Sequence, residues 1–104
     1  MENKLIKCSR ISVDCVANDP VDIRAGGPYY LGFDFNVKEE ETEEMKKFIA
    51  VTLETFEIPL INLYTSGNNL IEEKQVWDKK RIVEEIQKDA NYLKHEASRN
   101  YRRR

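Results

Sequence analysis

From Tyr29 to Val37 the chain alternates strictly. Tyr29, Leu31, Phe33, Phe35 and Val37 fall on one face, and Tyr30, Gly32, Asp34 and Asn36 on the other. A period of two marks a strand with one buried and one wet face. The run Glu39-Glu40-Glu41-Thr42-Glu43-Glu44 follows, and then the period changes. Met45, Phe48, Ile49, Thr52, Leu53 and Phe56 recur at steps of three and four, the stripe of an amphipathic helix. Thr42 is the expected N-cap of a helix over 43–57. Pro59 blocks its continuation, because it lacks a donor and disfavours helical geometry at Ile58.

Upstream, residues 5–16 predict a first strand. Ile11, Val13 and Cys15 alternate there with Arg10, Ser12 and Asp14, while Ile6 and Cys8 have the opposite parity. A bulge near Ser9, or cover on both faces, reconciles the two. Asn18-Asp19-Pro20 ends the strand, and the connection through Arg24-Ala25-Gly26-Gly27-Pro28 joins it antiparallel to the next. Downstream, residues 60–65 predict a third strand, Ser66-Gly67-Asn68-Asn69 a turn, and residues 74–76 a short fourth strand. Asp78 is the N-cap of a last helix over 79–101, with Ile82, Ile86, Ala90, Leu93, Ala97 and Tyr101 as its stripe. Its final two turns are expected to outrun so small a sheet, or to pack on another chain.

The elements add up to an α+β domain in the order β-β-α-β-(β)-α. The sheet is a mostly antiparallel one of three to four strands, with both helices on its apolar face. The expected core is Leu31, Phe33, Phe35, Phe48, Ile49, Leu53, Phe56, Ile82, Ile86 and Leu93. Phe48→Ala is expected to cost about 3–5 kcal/mol.

The length, 104 residues, fits a single domain spanning 1–104. Charged residues reach 35 %, but ten aromatics and the periodic apolar positions argue against disorder. No apolar run approaches the ~20 residues of a membrane span. Met1-Glu2-Asn3-Lys4-Leu5-Ile6 lacks the apolar segment of a signal peptide, so the expected location is cytoplasmic. Cys8 and Cys15 stand seven apart on one strand, face opposite sides and cannot pair; both are expected as free, buried thiols.

The net charge of −2 hides a segregation. Residues 1–38 are neutral, residues 39–73 carry a net −7, and residues 74–104 carry a net +5. An acidic middle and a basic end therefore both need a partner or a solvated role.

Candidate chemistry is sparse. His95 has Glu96 beside it but no nucleophile, and two cysteines with one distant histidine do not make a zinc site. Ala25-Gly26-Gly27 lacks the Lys-Ser/Thr ending of a phosphate loop. No catalytic residue, metal or cofactor is expected. A remote alternative is a Mg²⁺-dependent nuclease, with Asp34 and Glu72-Glu73 as metal carboxylates and Lys74 steadying water or phosphate. A second is a small nucleic-acid-binding protein. Lys88, Lys94, Arg99, Arg102, Arg103 and Arg104 would then contact phosphates, and Tyr92 or Tyr101 would stack on bases. A third is a protein-binding surface made by Glu39, Glu40, Glu41, Glu43 and Glu44, which suits a basic groove.

A short, motif-free, charge-segregated α+β chain of this kind resembles the small inhibitors that bacteriophages and mobile elements use against host defence, the anti-CRISPR proteins acting on type II effectors among them. Its Lys-, Asn- and Ile-rich composition suits a low-GC Gram-positive host. The resemblance implies a non-enzymatic mechanism in the host cytoplasm. The chain would bind a basic channel of a Cas9-type effector and block the loading of guide RNA or DNA. A homodimer through the long last helix is compatible with it.

Overall fold

A computed structural model describes residues 4–17 and 29–102, with side chains for all of these but Ala17, Tyr29 and residues 95–102. The expected connection over 18–28 lies outside the described residues. The elements are β1 (Leu5–Ala17), β2 (Tyr29–Lys38), α1 (Thr42–Thr55), β3 (Leu60–Glu72) and α2 (Lys79–Arg102). The protein is α+β, and its strands form one antiparallel sheet in the order β2-β1-β3.

The alternation in the sequence sets the layers. Ile11 stands opposite Phe35 on β2 and Thr65 on β3, and Val13 opposite Phe33 and Leu63. Residues of this parity share one face. Over it close Met45, Ile49 and Leu53 from α1 and Ile82, Ile86 and Ala90 from α2, all buried. Ile11, Ile49, Leu53, Ile82 and Ile86 are wholly inaccessible to solvent.

The core differs from expectation at its margins. Leu31, Phe48 and Phe56 are half-buried at its rim, and Leu93 lies outside it, one turn past Ala90 on α2. The central strand supplies Ile11, Val13 and Cys15 instead, because a strand flanked on both sides is the part of the sheet that two helices can cover most fully.

The segment Ser66-Gly67-Asn68-Asn69 is not a turn, and β3 runs through it. β1 is long enough to keep pairing, matching Lys7 with Leu70 and Leu5 with Glu72. Arg10 pairs with Ser66 and Ser9 with Asn68, so Gly67 is the extra residue of a bulge. Its φ of 61° is the left-handed conformation that such a bulge needs and that glycine adopts without strain. The irregularity expected near Ser9 is therefore real, but the added residue sits on β3.

No strand forms over 74–76. Glu73–Gln75 make a 3-10 turn, and Trp77 then donates its N–H to the Asn36 carbonyl at 2.8 Å. Asp78 caps α2 as expected: its Oδ1 accepts from the Arg81 N–H at 2.8 Å. Thr42 does not cap α1. It opens the helix after a 3-10 turn over Glu39–Glu41, and its hydroxyl donates to the Glu39 carbonyl at 2.7 Å.

The radius of gyration is 16.1 Å, against roughly 13 Å for a compact chain of this length. Two thirteen-residue strands and the 24-residue α2 account for the elongation. No helix among the described residues is long and apolar enough to cross a membrane.

Candidate functional site

The acidic block sits where β2 passes into α1. Carboxylates there interact favourably with the positive end of the helix dipole. Glu39, Glu40, Glu43 and Glu44 are exposed, and Glu41 is half-buried. The fold brings lysines to the block that the linear charge pattern conceals. Glu39 stands 3.7 Å from Lys7 on β1, Glu43 3.5 Å from Lys46, and Glu44 2.8 Å from Lys79 at the start of α2. The Lys79 bond and charge hold the Glu44 carboxyl below the usual carboxylate range. Lys79 Nζ also stands 5.5 Å from the centre of the Phe48 ring. Glu40 and Glu41 make no ion pair among the described residues. Exposed pairs of this kind contribute little to stability, so a partner's cations can replace these lysines at little cost.

The basic end is only partly described. Lys88 and Lys94 are exposed on α2, and Tyr92 is 62 % exposed, one turn beyond Lys88. Arg99 and Arg102 lie in α2 with side chains outside the described residues, as do those of His95 and Tyr101; Arg103 and Arg104 lie outside them altogether.

The nuclease constellation does not assemble. Asp34 stands opposite Ser12 and Glu72 opposite Leu5, seven residues away along β1, or roughly 23 Å at the usual rise of a strand. Glu72 is 3.4 Å from Lys74 at the far end of β3. The two carboxylates cannot hold one ion, and no group of three metal-ligating side chains occurs among the described residues.

Asp34 belongs instead to a cluster on the outer face of the sheet. Its Oδ1 accepts from Ser12 Oγ at 2.7 Å and Arg10 Nε at 3.3 Å, and Arg10 Nη2 is 3.0 Å from Oδ2. The Arg10 and Ser12 hydrogen bonds, with the Arg10 charge, hold the Asp34 carboxyl low. Three donors make it a weak base, and it acts as a clasp between β1 and β2. Asp14, Gly32, Tyr64 and Ser66 complete the wall of a shallow depression of about 250 Å³ around it. The signal for this cluster was in the sequence. Two alternating strands paired antiparallel place their polar residues side by side, but the register that sets Ser12 against Asp34 depends on a connection whose length alone does not determine it.

Cys8 and Cys15 are both free and fully buried. Burial first, and then the Asp14 charge, push the Cys15 thiol up to about 11. Burial and Glu40 raise Cys8 against the opposing effect of Lys38. Neither is a nucleophile at neutral pH.

No protein-family model, curated protein or solved structure matches this chain.

Proposed function

We propose that the chain is a non-enzymatic, protein-binding inhibitor of a host nucleic-acid-processing defence effector. The proposal is of the anti-CRISPR kind: the carboxylates at the start of α1 occupy the basic guide RNA or DNA channel of a Cas9-type effector in the host cytoplasm. The observation that supports it is the exposure of Glu39, Glu40, Glu43 and Glu44 around one helix start, where Glu39, Glu43 and Glu44 are held only by lysine pairs. Side chains in such pairs exchange partners readily, and complementary potential speeds and orients docking on a basic groove.

The test is affinity capture from host lysate with and without nuclease, read by mass spectrometry, and repeated with Glu40→Lys/Glu43→Lys. A protein partner should survive nuclease, and the double reversal should weaken its capture at least tenfold. Capture that is indifferent to the reversal removes the acidic surface from the mechanism.

A second reading is supported by Tyr92, a large aromatic left 62 % exposed one turn from Lys88. It makes α2 a nucleic-acid-binding helix, continued by Arg99 and Arg102 to Arg104. It requires partners that vanish with nuclease, and an affinity that falls steeply with salt and drops when Arg102 to Arg104 are removed.

A further inference from the structure

The sheet has two outer edges, and they are unlike. The edge of β2 is met by Trp77, whose N–H bonds the Asn36 carbonyl at 2.8 Å. The outer edge of β3 pairs with nothing among the described residues. It is exposed on both faces, with Leu60 40 %, Ile61 47 %, Tyr64 50 % and Leu70 67 % accessible. Proteins usually guard such an edge with charge, above all lysine, or with proline. Residues 58–71 are instead the longest stretch of this sequence without a charged side chain, in a chain that is 35 % charged.

We infer that the free edge of β3 pairs with β3 of a second copy of this chain, antiparallel about a two-fold axis at Tyr64. Two features select a second copy over a foreign strand. An uncharged edge meets its own copy without repulsion, whereas it offers no counter-charge to a strand carrying lysine or glutamate. The usable segment is also symmetric in extent. Asp14 pairs with Asn62 and Cys15 with Leu60, so Ile61 is an extra residue on one side, and the Gly67 bulge breaks the edge on the other. Tyr64 is the midpoint of the five residues between them. A two-fold axis there lays 62–66 against itself end to end. Tyr64 then meets its own copy on the outer face, where it already lies beside Ser12, and Leu63 meets Thr65 of the second copy on the core face.

The product is a continuous six-stranded sheet with all helices on one side. Pairing through β3 closes at two copies, because it uses up both β3 edges. The acidic start of α1 lies at the other end of that helix from Leu60, about 20 Å away at the usual rise per residue, so it remains open in the dimer.

The test is the mass in solution by light scattering across a dilution series. The wild type should give twice the 12.3 kDa of one chain at concentrations of about 100 µM. Asn62→Lys/Tyr64→Lys, which sets lysines against each other across the axis, should give a monomer with unchanged far-ultraviolet circular dichroism. A monomeric wild type overturns the inference. So does a dimer that survives the lysine variant but is lost in Tyr92→Lys, which would place the contact on α2. Should the lysine variant fail to fold, Tyr64→Cys decides: on mild oxidation it should cross-link to a dimer, while Leu70→Cys, beyond the bulge, should not. Absent or equal cross-linking at the two positions overturns the pairing.

Discussion

The Trp77 N–H donates to the Asn36 carbonyl at 2.8 Å, and this one bond fastens the approach to α2 onto the outer edge of β2. The indole that follows from it is held on two sides. Phe35 meets it edge to face at 5.1 Å, and the Arg81 guanidinium lies 4.6 Å above its ring. Arg81 also donates to the carbonyls of Lys74 at 3.3 Å and Val76 at 2.7 Å, so a single arginine ties the linker to the first turn of α2. Removing the indole should loosen all of these together. Trp77→Ala is expected to cost about 3 kcal/mol in urea denaturation, and to expose the β2 edge, seen as concentration-dependent light scattering. A loss below about 1 kcal/mol would mean that the ring only covers the surface.

The layers were legible in the sequence because burial and period agree there. Phe33, Phe35 and Val37 point inward at steps of two, and Met45, Ile49 and Leu53 at steps of four. The margins were not, because period says which way a side chain points and not how far the opposing layer extends. Phe48 is on the right stripe but half-buried, under the Lys79 ammonium, so Phe48→Ala should cost nearer 1–2 kcal/mol than the 3–5 of a buried phenylalanine. Gly67 illustrates a second limit. Ser-Gly-Asn-Asn chemistry suits a turn and a bulge equally, and only the length of β1 opposite decides between them. The acidic block shows a third. Its carboxylates are adjacent in sequence, but Lys7 and Lys79 reach them from 32 residues before Glu39 and 35 residues after Glu44.

Glu57 is strained. It follows α1 with φ 58°, the left-handed region, where the side chain of an ordinary residue crowds the backbone. The strain is tolerated because it closes the helix. The Ile58 N–H reaches the Leu53 carbonyl at 2.8 Å and the Glu57 N–H the Glu54 carbonyl at 3.0 Å, while buried Ile58 and Leu53 supply the apolar contact that accompanies this ending. Glu57→Gly should therefore stabilise the protein by about 1 kcal/mol, since glycine takes this conformation freely. Glu57→Ala keeps the Cβ and should give no such gain. An equal gain in both variants would assign the effect to the lost charge.

Cys15 is wholly inaccessible, and its thiol is pushed up to about 11 by burial and Asp14. Both factors protect it, since only an exposed thiolate reacts. At pH 8 the folded protein should leave Cys15 unlabelled by a thiol reagent for as long as it stays folded, and Cys8 should behave alike, its thiol also raised and its side chain buried. Both should label rapidly in denaturant. The labelling rate in water then reports opening of the central strand, so fast labelling of either cysteine would show that β1 is not the most protected element.

Asp34 predicts how acid should act. Its carboxyl is held low by the Arg10 and Ser12 hydrogen bonds and the Arg10 charge, so the folded state releases this proton more readily than the unfolded chain. Wherever the unfolded state binds more protons, stability rises with pH. The contribution of Asp34 is therefore complete above the ordinary carboxylate value of about 3.9 and lost as pH falls through the lower folded value. Arg10 does not titrate in that window, because Asp34 raises it further from an already high value. Asp34→Asn should lower the urea midpoint at pH 7, and the gap to wild type should close as pH falls below the ordinary carboxylate value and the native carboxyl becomes protonated. Both groups of the clasp are half exposed, so solvent screens the effect and the shift at pH 7 should be small and shrink with salt. A gap that stays constant with pH would mean that the substituted amide disturbs the packing of β1 on β2, and that the charge of Asp34 contributes nothing.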